Sequence, residues 1–321
     1  MDLIIGIISG ILFLLLLILL LSYITFRMTF LSIKEKHIKL YDGLDGEMTE
    51  LKLKSRELID KLKSYNYEDV YIDSYDGLKL HARYYHISDN APLQIQFHGY
   101  KSSSGRDFSG GGTECLKRGH NLLLVDQRAH GESEGRVITF GIKERYDVLS
   151  FINYAINRIG KDTKIILCGI SMGAATVLMS TELPLPENVV GILADCPYSS
   201  PAEIIKKVCR DMRIPPRLAF PFIRLGGLIF GRFDICALSA KETVTKTDIP
   251  ILLIHGSGDD FVPVEMSDEL ARLGKNITYL RVENATHGLS FIYDNDAYLE
   301  ALSSFISKIF FEAGEKANEN Q

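Results

Sequence analysis

The chain has 321 residues, 46% of them hydrophobic and 24% charged, with a formal net charge of −5. That length accommodates a membrane segment and one large α/β domain, or two small domains, and the composition is that of an ordinary globular chain. It lacks the basic excess of a nucleic-acid-binding surface. The five cysteines, odd in number and without CxxC spacing, speak against a disulfide framework and for a reducing compartment.

Leu3 to Phe26 is almost entirely apolar, with ILFLLLLILL at its centre. A bilayer-spanning helix needs ~20 such residues. A cleaved signal would want a basic start, a shorter core and a small-residue cleavage site. Met1-Asp2 carries no basic side chain and the core runs out in SYITF, so an uncleaved anchor over 1–27 is expected. Arg27, Lys34, Lys36 and Lys39 follow it, which puts the C-terminal bulk on the cytoplasmic side of a single-pass topology. Residues 28–67 are charged with an apolar rhythm (Met48, Leu51, Leu58, Ile59, Leu62), the pattern of an amphipathic stalk packing on the domain behind it.

From Val70 the period becomes two. Val70 to Tyr75 and Leu78 to Tyr84 flank Asp76-Gly77 and predict a β-hairpin. Short apolar strands are expected at Leu93–Phe97, Asn121–Val125, Lys164–Cys168, Val189–Ala194, Ile251–Ile254 and Thr278–Val282. Helices are expected between them at Asp107–Arg118 and Lys143–Ile159, after Met172, and at the end over Asp296–Phe311; the tail EKANENQ reads as disordered. Alternating strands and helices imply a mostly parallel, doubly wound α/β sheet. One stretch, about 199–247, is too long for a plain crossover. Its prolines and its apolar run Leu218 to Phe230 predict a helical cap over the C-terminal edge of the sheet; a second membrane contact is the alternative, disfavoured by Arg224 and Arg232.

Gly169-Ile170-Ser171-Met172-Gly173 follows the strand KIILC. A serine inside G-x-S-x-G between strand and helix is a nucleophile elbow: the turn is tight, and the glycines leave room for the neighbouring strand and helix. Alone the five-residue pattern is weak. A hydrolytic serine also needs a base, a group to orient it, and oxyanion donors. Asp259 and Asp260 follow the strand ILLI, and His287 follows ITYLRV, 28 residues beyond Asp259. That gap holds one helix and one strand and brings both groups to the same sheet edge.

Five motifs stand in order: HGY at 98–100, DQRAHGES at 126–133, GISMG at 169–173, HGSGDDFVP at 255–263 and ATHG at 285–288. With these the chain, from about residue 68 onward, resembles the α/β-hydrolase superfamily, in particular the bacterial serine aminopeptidase S33-like and BEM46-like hydrolases. The resemblance implies an α/β-hydrolase fold with a cap and assigns Ser171 as nucleophile, His287 as general base and Asp259, in H-G-x-x-D-x-x-V-P, as the acid in preference to Asp260. It implies the backbone N–H groups of Tyr100 and Met172 as the oxyanion hole. His98, His130 and His255 match structural positions, and Ala129 stands where the family usually has glycine. His37, His81, His86 and His120 are expected to be exposed or locally satisfied. Gly110-Gly111-Gly112 lacks the Lys-Ser/Thr of a phosphate loop and is expected near a helix start. No cofactor or metal is expected. The expected activity is cleavage of carboxylic esters, including thioesters, in a small-molecule or lipid-like acyl substrate; a serine aminopeptidase or amidase, and a non-catalytic binding protein, are the alternatives.

Overall fold

The computed structural model describes residues 1–32 and 50–319. In chain order these form α1 (Asp2–Phe30), α2 (Glu50–Lys63), β1 (Glu68–Asp73), β2 (Lys79–Tyr85), β3 (Leu93–Phe97), α3 (Ser104–Asp107), α4 (Ser109–Lys117), β4 (Asn121–Val125), α5 (Glu144–Ile159), β5 (Ile165–Ile170), α6 (Met172–Ser180) and β6 (Val189–Asp195). Then come α7 (Pro201–Asp211), α8 (Pro216–Gly226) with a π-helical turn (Gly227–Gly231), α9 (Ala240–Thr243), β7 (Ile251–Gly256), α10 (Val264–Leu273), β8 (Ile277–Val282), α11 (Ser290–Tyr293) and α12 (Asn295–Glu319).

The eight strands lie in the order β1-β2-β4-β3-β5-β6-β7-β8. The β1–β2 hairpin turns at Asp76-Gly77, and β2 pairs antiparallel with both β1 and β4. All later pairings are parallel. Every residue of β3, β4 and β7 is buried, as expected for strands covered on both faces. Apolar side chains alternate between two cores. One faces α5 and α6 and includes Phe97, Leu167 and Phe151; the other faces α4 and α12 and includes Leu122, Ile254 and Phe305. This topology brings the C-terminal ends of β3, β5, β6 and β7 to one edge.

Two elements, the tail and the N-terminal helix, depart from the sequence reading, while the stalk follows it. The C-terminal helix extends to Glu319 and takes in most of the tail expected to be disordered. The stalk helix α2 buries Ile59 and Leu62 against the domain, while Met48, Lys34, Lys36 and Lys39 lie outside the described residues. The N-terminal helix is long and apolar enough to cross a membrane, but it does not stop at residue 27. Its last third is part of the folded domain: Ser22, Phe26 and Phe30 are buried, and Phe30 meets Phe140 and Phe233 edge-on at 6.0 and 5.0 Å.

Candidate active site

Ser171 stands at the end of β5 with φ 55° and ψ −116°. A β-carbon in this left-handed region costs ~1–2 kcal/mol. Two close approaches enforce the conformation. A Cβ on Gly173 would sit 1.8 Å from the carbonyl oxygen of Phe97, and one on Gly169 would sit 2.3 Å from the carbonyl carbon of Gly173. The Ser171 N–H donates to the Asp195 carbonyl at 2.8 Å, pinning the turn to β6.

His287 Nε2 lies 3.0 Å from Ser171 Oγ. Its Nδ1 lies 2.7 Å from Asp259 Oδ2. An ionised carboxylate only accepts, so Nδ1 carries the proton and Nε2 is free to accept from the serine. Asp259 is itself fixed: Oδ1 accepts the N–H groups of Phe261 and Val262 at 2.9 and 2.8 Å. Burial pushes its pKa up, but hydrogen bonds from His255 and His287, the positive charge of His287 when its ring is protonated and the backbone donors outweigh this and hold it well below the usual carboxylate range. Asp260 makes no such approach; its carbonyl oxygen accepts from Lys207 Nζ. His255 is structural: its Nδ1 lies 2.6 Å from Ser267 Oγ, and its Nε2 lies 2.9 Å from the Val262 carbonyl and 3.2 Å from Asp259 Oδ2.

The loop after β3 brings Tyr100 beside the serine. Gly99 N–H donates to Asp107 Oδ2 at 2.8 Å, Ser102 Oγ donates to Asp107 Oδ1, and Lys101 N–H donates to His130 Nε2 at 3.0 Å. His98 Nε2 accepts from Gln127 N–H at 3.1 Å. The HGY and DQRAHGES segments thus hold each other. Among the described residues, the N–H groups of Tyr100 and Met172 donate to no protein acceptor. Met172 N–H opens α6, where the helix dipole favours negative charge.

Arg128 anchors the same segment. It is 3% exposed and makes paired hydrogen bonds to Asp147 at 2.6 Å and to Asp76 at 3.0 and 3.1 Å. Ala129 takes φ 65°, which accounts for the glycine usual there. His81 is neither exposed nor locally satisfied: it is buried between Asp126 and Asp69, 2.9 Å from each. Gly110-Gly111-Gly112 lies in the first turns of α4; a Cβ on Gly110 would meet Phe291 at 2.5 Å, so this glycine serves packing.

A cavity of about 580 Å³ opens beside Ser171 and His287. Leu51, Leu58 and Ile59 of α2 line it with Phe108 and Phe291, and it reaches Gln96, Cys168 and Asp195. Burial pushes the Asp195 carboxyl up to about 6. No residue of 199–247 lines this cavity. The insertion forms a helical layer that packs on α1, where α8 offers its Gly226 to the backbone of Ser22, and its α7 reaches the acid loop through Lys207 Nζ and the Asp260 carbonyl. The stalk, whose apolar rhythm was legible as a docking face, supplies a wall of this cavity. Asp107 and Cys196 carried no motif signal of a role here; both become neighbours of the site only through the fold.

Cys196 Sγ, Asp259 and His287 present ligand atoms within 4.8 Å of one another, a spacing a metal ion tolerates. The donor chemistry does not suit one. Burial holds the Cys196 thiol protonated, and Asp259 and His287 Nδ1 already satisfy each other. Of the expected residues, Ser171, Asp259, His287 and Tyr100 gather at one sheet edge with the first amide of α6.

A family profile described as serine aminopeptidase, S33, matches residues 92–225. Among curated proteins, the uncharacterized protein YqkD of Bacillus subtilis is 25% identical over 60% of this chain and 64% of its own length. Thiohydrolase aneE of Aspergillus aculeatus is 28% identical over 48% of this chain and 46% of its own length. The chain thus spans less than two thirds of either relative. Among solved structures, an esterase of Pyrococcus furiosus superposes with TM-score 0.60 at 23% identity, covering 82% of this chain and 96% of that one. An esterase of Exiguobacterium antarcticum does so with TM-score 0.58 at 17% identity, over 75% of this chain and 100% of that one. With this strand order, this elbow and these likenesses together, the chain has the α/β-hydrolase fold.

Proposed function

We propose that the protein is a membrane-anchored serine hydrolase that cleaves carboxylic esters through an acyl-enzyme. The single observation that carries the reading is the unbroken line Ser171 Oγ–His287–Asp259, at 3.0 and 2.7 Å, opening on a largely apolar cavity. His287 Nε2 takes the serine proton as Oγ attacks the ester carbonyl. The carbonyl oxygen becomes an oxyanion between the N–H groups of Tyr100 and Met172. Collapse breaks the C–O bond, and the leaving alkoxide takes the proton from His287. Water, activated by the same histidine, then attacks the acyl-serine, releasing the acid and restoring Ser171. Asp259 keeps the imidazole in its working tautomer and stabilises the imidazolium. Two oxyanion donors of this type each contribute ~3–4 kcal/mol of transition-state stabilisation.

The two esterases of like fold favour ester over amide bonds, and the name of the thiohydrolase relative favours including thioesters. The apolar wall of α2 suits an acyl chain. The length and composition of α1, with Arg27 after its core, favour an anchor with the domain on the cytoplasmic side. The test is turnover by the full-length protein of p-nitrophenyl esters of graded chain length, the corresponding thioesters, and aminoacyl anilides. Higher kcat/KM for esters or thioesters is expected. Higher kcat/KM for the anilides would replace this reading with a peptidase.

A further inference from the structure

The 199–247 insertion leaves an apolar surface bare. On α8 and the π-helical turn, the buried side carries Ile223, Gly226 and Gly227, while Leu218, Leu228 and Ile229 face outward at 62%, 45% and 46% exposure. Ile214, in the turn before α8, is exposed with them. Such a face on a domain surface marks a contact that the isolated chain does not make.

The position of α1 says what that contact is. The stretch Asp2–Leu21 is almost wholly bare, and its 20 residues span ~30 Å as a helix, the thickness of a bilayer's hydrocarbon core. Burial is complete at Ser22, the next residue, and there α8 begins to pack: a Cβ on Gly226 would lie 2.4 Å from the Ser22 carbonyl oxygen, and Phe230 meets Tyr23 at 5.1 Å and Phe26 at 5.7 Å. The insertion therefore grips α1 within about one turn of the point where the bare stretch ends. Charge points the same way. Residues 201–232 hold seven Lys and Arg against two Asp and Glu, a local excess of five positive charges in a chain whose net charge is −5. Arg213 and Arg217 are exposed and flank Leu218. Apolar side chains within a basic surround are the composition of an element lying in a membrane interface.

We infer that the α7–α8 insertion is an interfacial docking element, seated through Leu218, Leu228 and Ile229 in the headgroup layer of an anionic phospholipid bilayer beside α1. This rests on the membrane-anchor part of the proposed function and not on its chemistry. It has a consequence for the site. Tyr100 Oη donates to the Thr29 carbonyl at 2.8 Å, and its ring stacks on Phe140 at 5.0 Å. Phe140 in turn meets Phe30. The docked insertion, α1 and the Tyr100 loop are one packed unit, so the serine is held next to the membrane surface rather than at the end of a free tether.

The test uses the full-length chain in nanodiscs containing a doxyl-labelled phosphatidylcholine, with and without phosphatidylglycerol. Cys236→Ser removes the one exposed cysteine. Single bimane labels are then placed at Leu218→Cys and Leu228→Cys, at Leu12→Cys within α1, and at Lys161→Cys in the exposed turn before β5. Loss of bimane fluorescence to the lipid quencher is expected at Leu218, Leu228 and Leu12 but not at Lys161. It should deepen at Leu218 with phosphatidylglycerol, and Arg213→Glu with Arg217→Glu should reverse that gain. Quenching at Leu12 with Leu218 and Leu228 no higher than Lys161 leaves the anchor standing and overturns the docking. No quenching at Leu12 overturns the anchor and the docking with it. Disulfide crosslinking of Leu228→Cys between copies, without lipid quenching, assigns the face to a second copy and likewise overturns it.

Discussion

At the residue scale, the site separates two adjacent carboxylates. Asp259 accepts from His287 and from two backbone amides, whereas Asp260 contributes only its carbonyl oxygen to Lys207. Asp259→Asn offers His287 the wrong partner group and should lower kcat by ~10⁴-fold. Asp260→Asn should leave kcat near the wild-type value; a steady-state assay of both variants on one p-nitrophenyl ester decides the assignment. Arg128 belongs to stability. Removing it strands Asp147 as an uncompensated buried charge, so Arg128→Met should cost ~3–5 kcal/mol, read as a fall in the denaturant midpoint at unchanged slope.

At the element scale, the strands were legible because each is a short apolar run bounded by turn residues. Leu93–Phe97 and Asn121–Val125 fall where the sequence puts them, and the others shift by a residue or two. The placement of the candidate site residues at one edge was legible for the same reason, since each follows a strand and parallel strands end together. What was not legible depends on contacts between distant segments. An apolar rhythm says that α2 has a face to bury but not that the face closes a cavity formed by residues 94 to 302. Nor does a leucine-rich helix announce that its end will be clasped by an insertion some 200 residues later, although Gly226 and Gly227 record the close approach. Two predictions follow from these elements. Leu58→Trp on α2 should fill the cavity and lower kcat/KM for long acyl esters ~10-fold more than for acetate, read from a chain-length series. Gly173→Ala would drive a Cβ into the Phe97 carbonyl, so the variant should fail to fold or lose its cooperative melting transition.

At the scale of the whole molecule, two buried histidines that fold as neutral groups make stability depend on pH in acid. Burial pushes His130 down to about 3 and His120 down to about 4. The unfolded chain takes up protons near pH 6.5 at both positions while the folded chain does not, so unfolding binds protons. The stability they contribute is complete above about 6.5 and is lost as pH falls toward the folded values, by up to ~1.4 kcal/mol per pH unit for each group. Asp147 and Asp195, whose carboxyls burial pushes up to about 6, act in the opposite direction between about pH 6 and 4. The histidine contribution is therefore read by difference: the melting-temperature gap between His120→Gln and the wild type should narrow as pH falls below about 6.5, and an unchanged gap would contradict it. Protonating His130 also removes the acceptor for Lys101 N–H in the loop that carries Tyr100.

The central claim is that Ser171 is a nucleophile activated by His287. The most direct measurement is reaction of the full-length protein with a fluorophosphonate probe, followed by mass-spectrometric mapping. A single adduct on Ser171 is expected, abolished by Ser171→Ala and strongly slowed by His287→Ala. No adduct on the wild type, or labelling undiminished in Ser171→Ala, would contradict it.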